Sequence, residues 1–412
     1  MTASWLILAD DLTGAADCAI AFAKRGLDAE VFWGEGASGN AAVLSVDADS
    51  RRFPAGEAAA RQLKAQVAHW RPGMRLYKKI DSTIRGQPAA ELAAQLKALA
   101  ASGRAPLAVM APAFPATGRV TRDGRVVVND QPLEQTPLWA RDHTYASAYL
   151  PHVLASSGLS AEVVPLATVR AGRDAVLGCM RDAARRGADA VVCDAAAESD
   201  LAIVAGASLQ LDAAVWVGSA GLAAALAKLV APKNAAPPPV ATLSGAVLTV
   251  VGSLAEASRL QARTLTDSGR VSHLVIAPET LLAGSRASQW QDIAKALSDR
   301  LRDGRDVLLE IGLSEKPDLA RGAALAAALA ELVDEVAPAI GAIVATGGET
   351  ACALLSRLGV HGIRLIDEVE PGVPFGMSLG GRAIPVVTKA GAFGDADTLR
   401  RCLDRLKALP AR

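Results

Sequence analysis

The densest group of chemically capable side chains in this 412-residue chain is Lys78-Lys79-Ile80-Asp81-Ser82-Thr83-Ile84-Arg85-Gly86. Three cations, one carboxylate and two hydroxyls fall within nine residues, directly after the apolar run 74–77. A buried strand does not continue through such groups, because desolvating them without partners is costly. The pattern suits the end of a strand and a turn that surrounds an anionic, hydrogen-bonding ligand. The plainer alternative is a charged turn leading into a helix at 89–101. A second burst, Asp10-Asp11-Leu12-Thr13-Gly14, follows the apolar run 5–8 and precedes a helix expected at 15–25. Thr13 suits a helix N-cap. Two adjacent carboxylates at a strand end suit magnesium coordination or acceptance of a substrate proton, and Asp17 lies one helical turn on. Asp47-Ala48-Asp49-Ser50-Arg51-Arg52 forms a third burst.

The elements that position these groups alternate along the chain. Strands are expected at 5–8, 29–33, 42–46, 75–79, 107–110, 190–193 and 214–217, with amphipathic segments such as 57–69 and 172–186 between them. Strands apolar on both faces and separated by helices imply a parallel, doubly wound α/β sheet. Asp123-Gly124 ahead of 126–128 predicts an inserted hairpin. Near Pro232 the composition shifts, and 233–240 reads KNAAPPPV, a polyproline spacer. The domains are therefore expected at 1–232 and 245–412, joined by a Pro-rich linker at 233–244. The second series of strands is expected at 247–251, 274–276, 307–311, 342–345, 363–366 and 384–388. Two such domains on a short linker form a cleft, a favoured ligand site.

Ligands of open α/β sheets bind beyond the carboxyl ends of the strands. In the first domain those ends also carry Ala111-Pro112-Ala113-Phe114-Pro115, then Gly118-Arg119, and Gly218-Ser219-Ala220-Gly221. Arg119 reads equally as a surface charge. The small residues at 218–221 suit an anion at a helix N-terminus or close helix–sheet packing. In the second domain they carry Gly252-Ser253, Thr346-Gly347-Gly348-Glu349-Thr350 and Lys389-Ala390-Gly391-Ala392-Phe393-Gly394. Glycine-rich turns with a hydroxyl and one lysine suit a polyphosphate, whose oxygens backbone amides cradle while an ammonium offsets the transferring charge.

Composition and failed motifs remove other classes. With 43 basic and 43 acidic residues, no net field recruits nucleic acid or an anionic membrane. No run of 18 apolar residues exists to span a bilayer. The stretch 1–11 lacks the regions of a signal peptide, and five scattered cysteines read as reduced thiols. A cytoplasmic protein is expected. The five histidines show no metal spacing, although His143 beside Asp142 merits attention. Gly34-Glu35-Gly36-Ala37-Ser38-Gly39 fits GxGxxG but leaves no room for a helix before the strand at 42, so it reads as a surface loop. There is no P-loop, and 217–221 lacks the first glycine of a nucleophile elbow.

Taken in order, these stretches resemble the four-carbon acid sugar kinase family over essentially the whole chain. The matching residues are Asp10 to Ala15, Asp47 with Ser50-Arg51, Lys79 to Gly86, Pro112 to Pro115, Gly118-Arg119, and Gly218 to Gly221. Gly252-Ser253, Gly347 to Thr350, Lys389, Gly391 and Phe393-Gly394 complete them. The resemblance implies ATP-dependent phosphorylation of the 4-hydroxyl of a tetronate, D-threonate before D-erythronate or 3-oxo-tetronate. It implies ATP contacts at Ser253, at Gly347, Gly348, Glu349 and Thr350, and around Gly391, Phe393 and Gly394. The sugar acid falls to Asp10, Asp47, Ser50, Arg51, Lys79, Ser82, Thr83, Arg85 and Gly86. Arg85 and Lys79 are expected on the substrate carboxylate, Asp11 or Asp81 on the reacting hydroxyl, and Lys389 on the phosphates, with domain closure excluding water. Expected cofactors are ATP and Mg2+, and the expected partners are the small sugar acid and ATP, with a homodimer possible and neither nucleic acid nor membrane. Rival readings are a non-catalytic sugar-acid binder, which leaves the three Gly-rich loops unexplained, and a dehydrogenase, which lacks a dinucleotide fingerprint in context.

Overall fold

The computed structural model describes residues 4–34, 39–142, 144–232, 241–313 and 321–411. Most of the expected loop 34–39, His143 and the polyproline stretch 233–240 lie outside these residues. The chain divides into two compact units, Met1–Ala236 and Pro237–Arg412. Both are α/β, with mainly parallel sheets.

The strands of the first unit are β1 (Trp5–Ala9), β2 (Ala29–Trp33), β3 (Val43–Asp47), β4 (Arg75–Lys79), β5 (Leu107–Ala111), β6 (Arg119–Arg122), β7 (Arg125–Val128), β8 (Gln131–Pro132), β9 (Ala161–Val164), β10 (Ala190–Cys193) and β11 (Ala214–Gly218). Eight of them form one parallel run in the order β2-β3-β1-β4-β11-β5-β10-β9. Every residue of β1, β3 and β5 is buried, as expected where helices cover both faces of a parallel sheet. The helix Leu12–Ala23 packs on Ala220–Val230, while Ala55–His69 packs on Pro88–Ala101. Trp5 anchors the core, with its ring centroid 5.2 Å from that of Phe22 and 5.1 Å from that of Trp216. The inserted hairpin forms as expected, β6 pairing antiparallel with β7 around Asp123 (φ 50°) and Gly124 (φ 71°), the positive-φ pair that a two-residue turn requires.

The second unit contains β12 (Ala246–Val251), β13 (Ser272–Ile276), β14 (Val307–Ile311), β15 (Ile340–Thr346), β16 (Gly362–Glu368), β17 (Pro374–Leu379) and β18 (Pro385–Lys389), in the order β13-β14-β12-β15-β18-β17-β16. The first five are parallel, and β17 runs antiparallel to both neighbours. β17 was not expected, because its proline and glycine mask a strand. Gly376 is needed there: a Cβ would stand 2.3 Å from the Arg364 carbonyl oxygen. The core gathers Val247, Val251, Val344, Phe375, Val387 and Leu403. No helix among the described residues is long and apolar enough to cross a membrane.

Candidate active site

In the first unit β3, β1 and β4 are adjacent, so the three polar bursts that follow them meet although they are about 35 residues apart in sequence. Backbone bonds fix the arrangement: the Ser50 and Arg51 amides donate to the Asp10 carbonyl at 3.1 and 3.2 Å. Arg51 then bridges both acids. Its Nε and Nη2 reach Asp10 at 2.8 Å each, and its Nη1 reaches Asp11 at 2.5 Å. Burial alone would raise the Asp10 carboxyl; Arg51, with Lys79 behind it, outweighs that effect and holds it below the ordinary range.

Asp11 has a second job. Its side chain accepts the Gly14 amide at 2.9 Å and is the N-cap of the helix Leu12–Ala23, so the helix starts three residues earlier than expected and Thr13 is not its cap. The Lys79 ammonium packs against Gly14, where a Cβ would stand 2.6 Å from both Lys79 Nζ and Asp11 Oδ1. Burial pushes Lys79 down, but the carboxylates of Asp10 and Asp11 help to carry it above its ordinary value.

The turn after β4 is strained. Ile84, a β-branched residue, sits at φ 57°, a cost that tends to be stored at functional sites, and Gly86 follows at φ 83°, which glycine adopts freely. The strain turns Arg85 back onto Asp81 in a two-point ion pair, and the Thr83 hydroxyl also donates to Asp81. Burial would raise Asp81, yet the Arg85 bonds and the charge of Arg51 hold it well below the carboxylate range. Gly86 lies against the first pair, its missing Cβ 3.2 Å from Asp10 Oδ2. Asp10, Asp11, Arg51, Lys79, Asp81, Arg85 and Gly86 thus form one group, with Ser82 and Thr83, both nearly buried, in the same turn.

Two expected ligand contacts lie elsewhere. Ser50 is fully buried; its hydroxyl donates to Glu91 at 2.6 Å and accepts from Gln62 at 2.9 Å. Glu91 also pairs with Lys78 at 2.6 Å, both side chains out of solvent, so Lys78 and Ser50 form the footing of the site. Asp47 accepts the Asp49 amide at 2.7 Å, and burial pushes its carboxyl up to about 8. Gly218 and Gly221 serve close packing: a Cβ would stand 2.7 Å from the Ala111 carbonyl oxygen and 2.5 Å from that of Ala113, respectively. Ser219, whose hydroxyl donates to the Ala113 carbonyl at 2.9 Å, caps the helix that follows.

In the second unit the adjacent strands β12, β15 and β18 bring their carboxyl-terminal turns together. A Cβ on Gly391 would stand 2.0 Å from Ser253 Oγ, one on Gly252 2.3 Å from Thr350 Oγ1, and one on Gly347 3.6 Å from Ser253 Cβ. Gly347, at φ 90°, begins the helix Gly348–Arg357, leaving the first-turn amides of Gly348, Glu349 and Thr350 at this edge. These glycines leave space and backbone donors beside two hydroxyls, the features that bind phosphate, and they fit a nucleotide. Phe393 and Gly394 face away from Ser253: the Phe393 ring packs on Gly372, and a Cβ on Gly394 would stand 2.1 Å from Thr398 Oγ1. Lys389 is only 1% exposed. Its ammonium reaches Ser258 Oγ at 3.3 Å and the Gly391 carbonyl at 3.4 Å, and burial pulls it down to about 8. Ser258, which the sequence motifs do not single out, ties this lysine to the Gly391 turn, donating to the same carbonyl at 2.7 Å.

Comparison with known proteins agrees with this division. Residues 5–226 match the model of a sugar-binding N-terminal domain and residues 248–399 that of a nucleotide-binding C-terminal domain. Fold and domains define a two-unit α/β protein with a sugar-binding and a nucleotide-binding half. A D-threonate kinase of Cupriavidus necator is 45% identical over 96% of each chain, and a D-erythronate kinase of Heliobacterium modesticaldum is 32% identical over 97% of this chain and 96% of its own. The crystal structure of Haemophilus influenzae HI1011 shares the fold, with a TM-score of 0.76 at 21% identity over 97% of this chain and 100% of its own. The chain belongs to the four-carbon acid sugar kinase family.

Proposed function

We propose that the chain transfers the γ-phosphoryl group of ATP to the 4-hydroxyl of D-threonate, with D-erythronate and 3-oxo-tetronate as poorer acceptors. The observation that carries phosphoryl transfer is the convergence of Ser253, Gly347 and Gly391 on one edge of the second unit. The choice of D-threonate rests on relatives of that name at 45%, 36% and 31% identity.

In this reading the first domain spans 1–232, the linker 233–244 and the nucleotide domain 245–412. Asp10, Arg51, Lys79, Ser82, Thr83, Arg85 and Gly86 hold the acid, while Asp47 and Ser50 support them from below. Arg85 offers the substrate its Nη1, the nitrogen that Asp81 leaves unused. Asp11 accepts the proton of the 4-hydroxyl. It is preferred to Asp81 because it is 31% exposed against 13%, and because Arg85 grips Asp81 at both oxygens whereas a guanidinium meets Asp11 at one. On the donor side Ser253, Gly347, Gly348, Glu349, Thr350 and Gly391 receive the phosphates, Phe393 and Gly394 shape the turn, and Lys389 supplies positive charge beneath it. Mg2+ would reduce the negative charge of the triphosphate. Such an ion would be held mainly by phosphate oxygens and water. The free thiols support a cytoplasmic location.

The test is ADP release with D- and L-threonate, D- and L-erythronate and 3-oxo-tetronate. The proposal expects the highest kcat/KM on D-threonate; no ADP release with any of them would overturn it.

A further inference from the structure

The guanidiniums of Arg51 and Arg85 are already matched by carboxylates. Arg119 is not. Among the described residues its guanidinium makes one hydrogen bond, a long one from Nη1 to Thr117 Oγ1 at 3.4 Å, and its Nε is buried with no partner. Such an unpaired buried donor is costly to leave empty. Asp81 and Arg85 both act on it electrostatically, while burial lowers its proton affinity overall, so it stands at the edge of the same cluster.

Its placement is built with care. β5 lies next to β11, which lies next to β4, so the turn after β5 opens on the same side as the Asp81–Arg85 turn. Gly118 (φ 70°) reverses the chain just before Arg119, at a point where a Cβ would stand 2.1 Å from Asn129 Oδ1. Phe114 and Arg119 exchange backbone bonds at 2.8 and 3.3 Å. The hairpin that begins at Arg119 is pinned in turn to the two residues that follow β10. Thr121 and Ala195 exchange backbone bonds at 2.9 and 3.2 Å, and buried Asp194 accepts the Asp123 and Gly124 amides at 2.7 and 2.9 Å. A hairpin clamped at its tip and its base delivers one guanidinium rigidly, with most of its donors unspent.

We infer that Arg119 grips the substrate carboxylate and makes the site selective for acids over neutral polyols. The inference rests on the sugar-acid reading above. A planar guanidinium fork matches a carboxylate at two points, whereas Arg85 has one nitrogen left to add to that grip.

The experiment compares D-threonate with its neutral carboxamide, threonamide, by isothermal titration calorimetry on wild type, Arg119→Ala and Arg119→Lys. Charged hydrogen bonds of about 1.5–3 kcal/mol correspond to about a 10- to 150-fold change in affinity. Arg119→Ala is therefore expected to weaken D-threonate by about that factor and to leave threonamide unchanged. Arg119→Lys, which keeps the charge and the packed stem, recovers part of the loss. An unchanged ratio of the two dissociation constants in Arg119→Ala overturns the inference, whether both ligands weaken alike or neither does. Melting temperatures of the variants identify a folding defect, in which case the Arg119→Lys ratio decides. Wild-type protein that binds no four-carbon acid removes the sugar-acid reading itself, and this inference falls with it.

Discussion

Asp81 gives both carboxylate oxygens to Arg85, 2.9 Å from Nε and 3.0 Å from Nη2. The folded protein holds this carboxyl below its unfolded value of about 3.9. Its contribution to stability is therefore complete above that value and is lost as the pH falls through the folded one. Asp81→Asn is expected to cost about 1–3 kcal/mol at pH 7, below the range for a fully buried pair because Arg85 is 33% exposed. Urea unfolding at pH 7 and pH 3 checks this: the gap between wild type and variant narrows at the lower pH. An equal gap at both would refute it.

Asp11→Asn separates catalysis from binding. With Asp11 as proton acceptor, kcat falls by about 10²–10⁴-fold, and the dissociation constant for D-threonate moves far less. The asparagine oxygen can still accept the Gly14 amide, so the helix cap survives. Steady-state kinetics beside calorimetry read the two effects, and near-normal kcat would return the role to Asp81.

Lys389 carries a prediction of the same pH sense in a higher pH window. Its folded value of about 8 lies below the unfolded value of about 10.4. Between these values the unfolded chain binds more protons, so this lysine makes stability rise with pH there. Nucleotide-free wild type is expected to gain melting temperature from pH 8 to 10 relative to Lys389→Met, which lacks the titration. If the ammonium offsets phosphate charge, Lys389→Met also loses most of its kcat while its affinity for D-threonate stays the same.

Gly391→Ala tests the donor side. The new methyl would meet Ser253 Oγ at 2.0 Å, a distance that forces the turn or the serine to move. The expected result is a rise in KM for ATP of about 10-fold or more, as expected for about 1.4 kcal/mol of lost contact, with KM for D-threonate within about twofold of wild type. Equal rises in both would mean that the turn does not serve the nucleotide.

Much of this site was legible because polar bursts after apolar runs mark strand ends, and strand order then brings Asp10, Arg51 and Asp81 together. What was not legible depends on depth and on sequence-distant neighbours. Ser50 and Lys389 look like open ligands in one dimension; Glu91 and Ser258, 41 and 131 residues away, bind them inside the fold. Arg119 read equally as a surface charge because its missing partner is visible only in three dimensions. β17 escaped notice because close strand approach at Gly376 demands the residue that usually signals a turn.

The most direct measurement is the phosphorus-31 NMR spectrum of the product formed from D-threonate and ATP. Transfer to the 4-hydroxyl places phosphorus next to a methylene, so the account predicts a new phosphomonoester signal split into a triplet by two protons. A doublet, meaning phosphorylation at a secondary hydroxyl, or inorganic phosphate as the sole product, would contradict it.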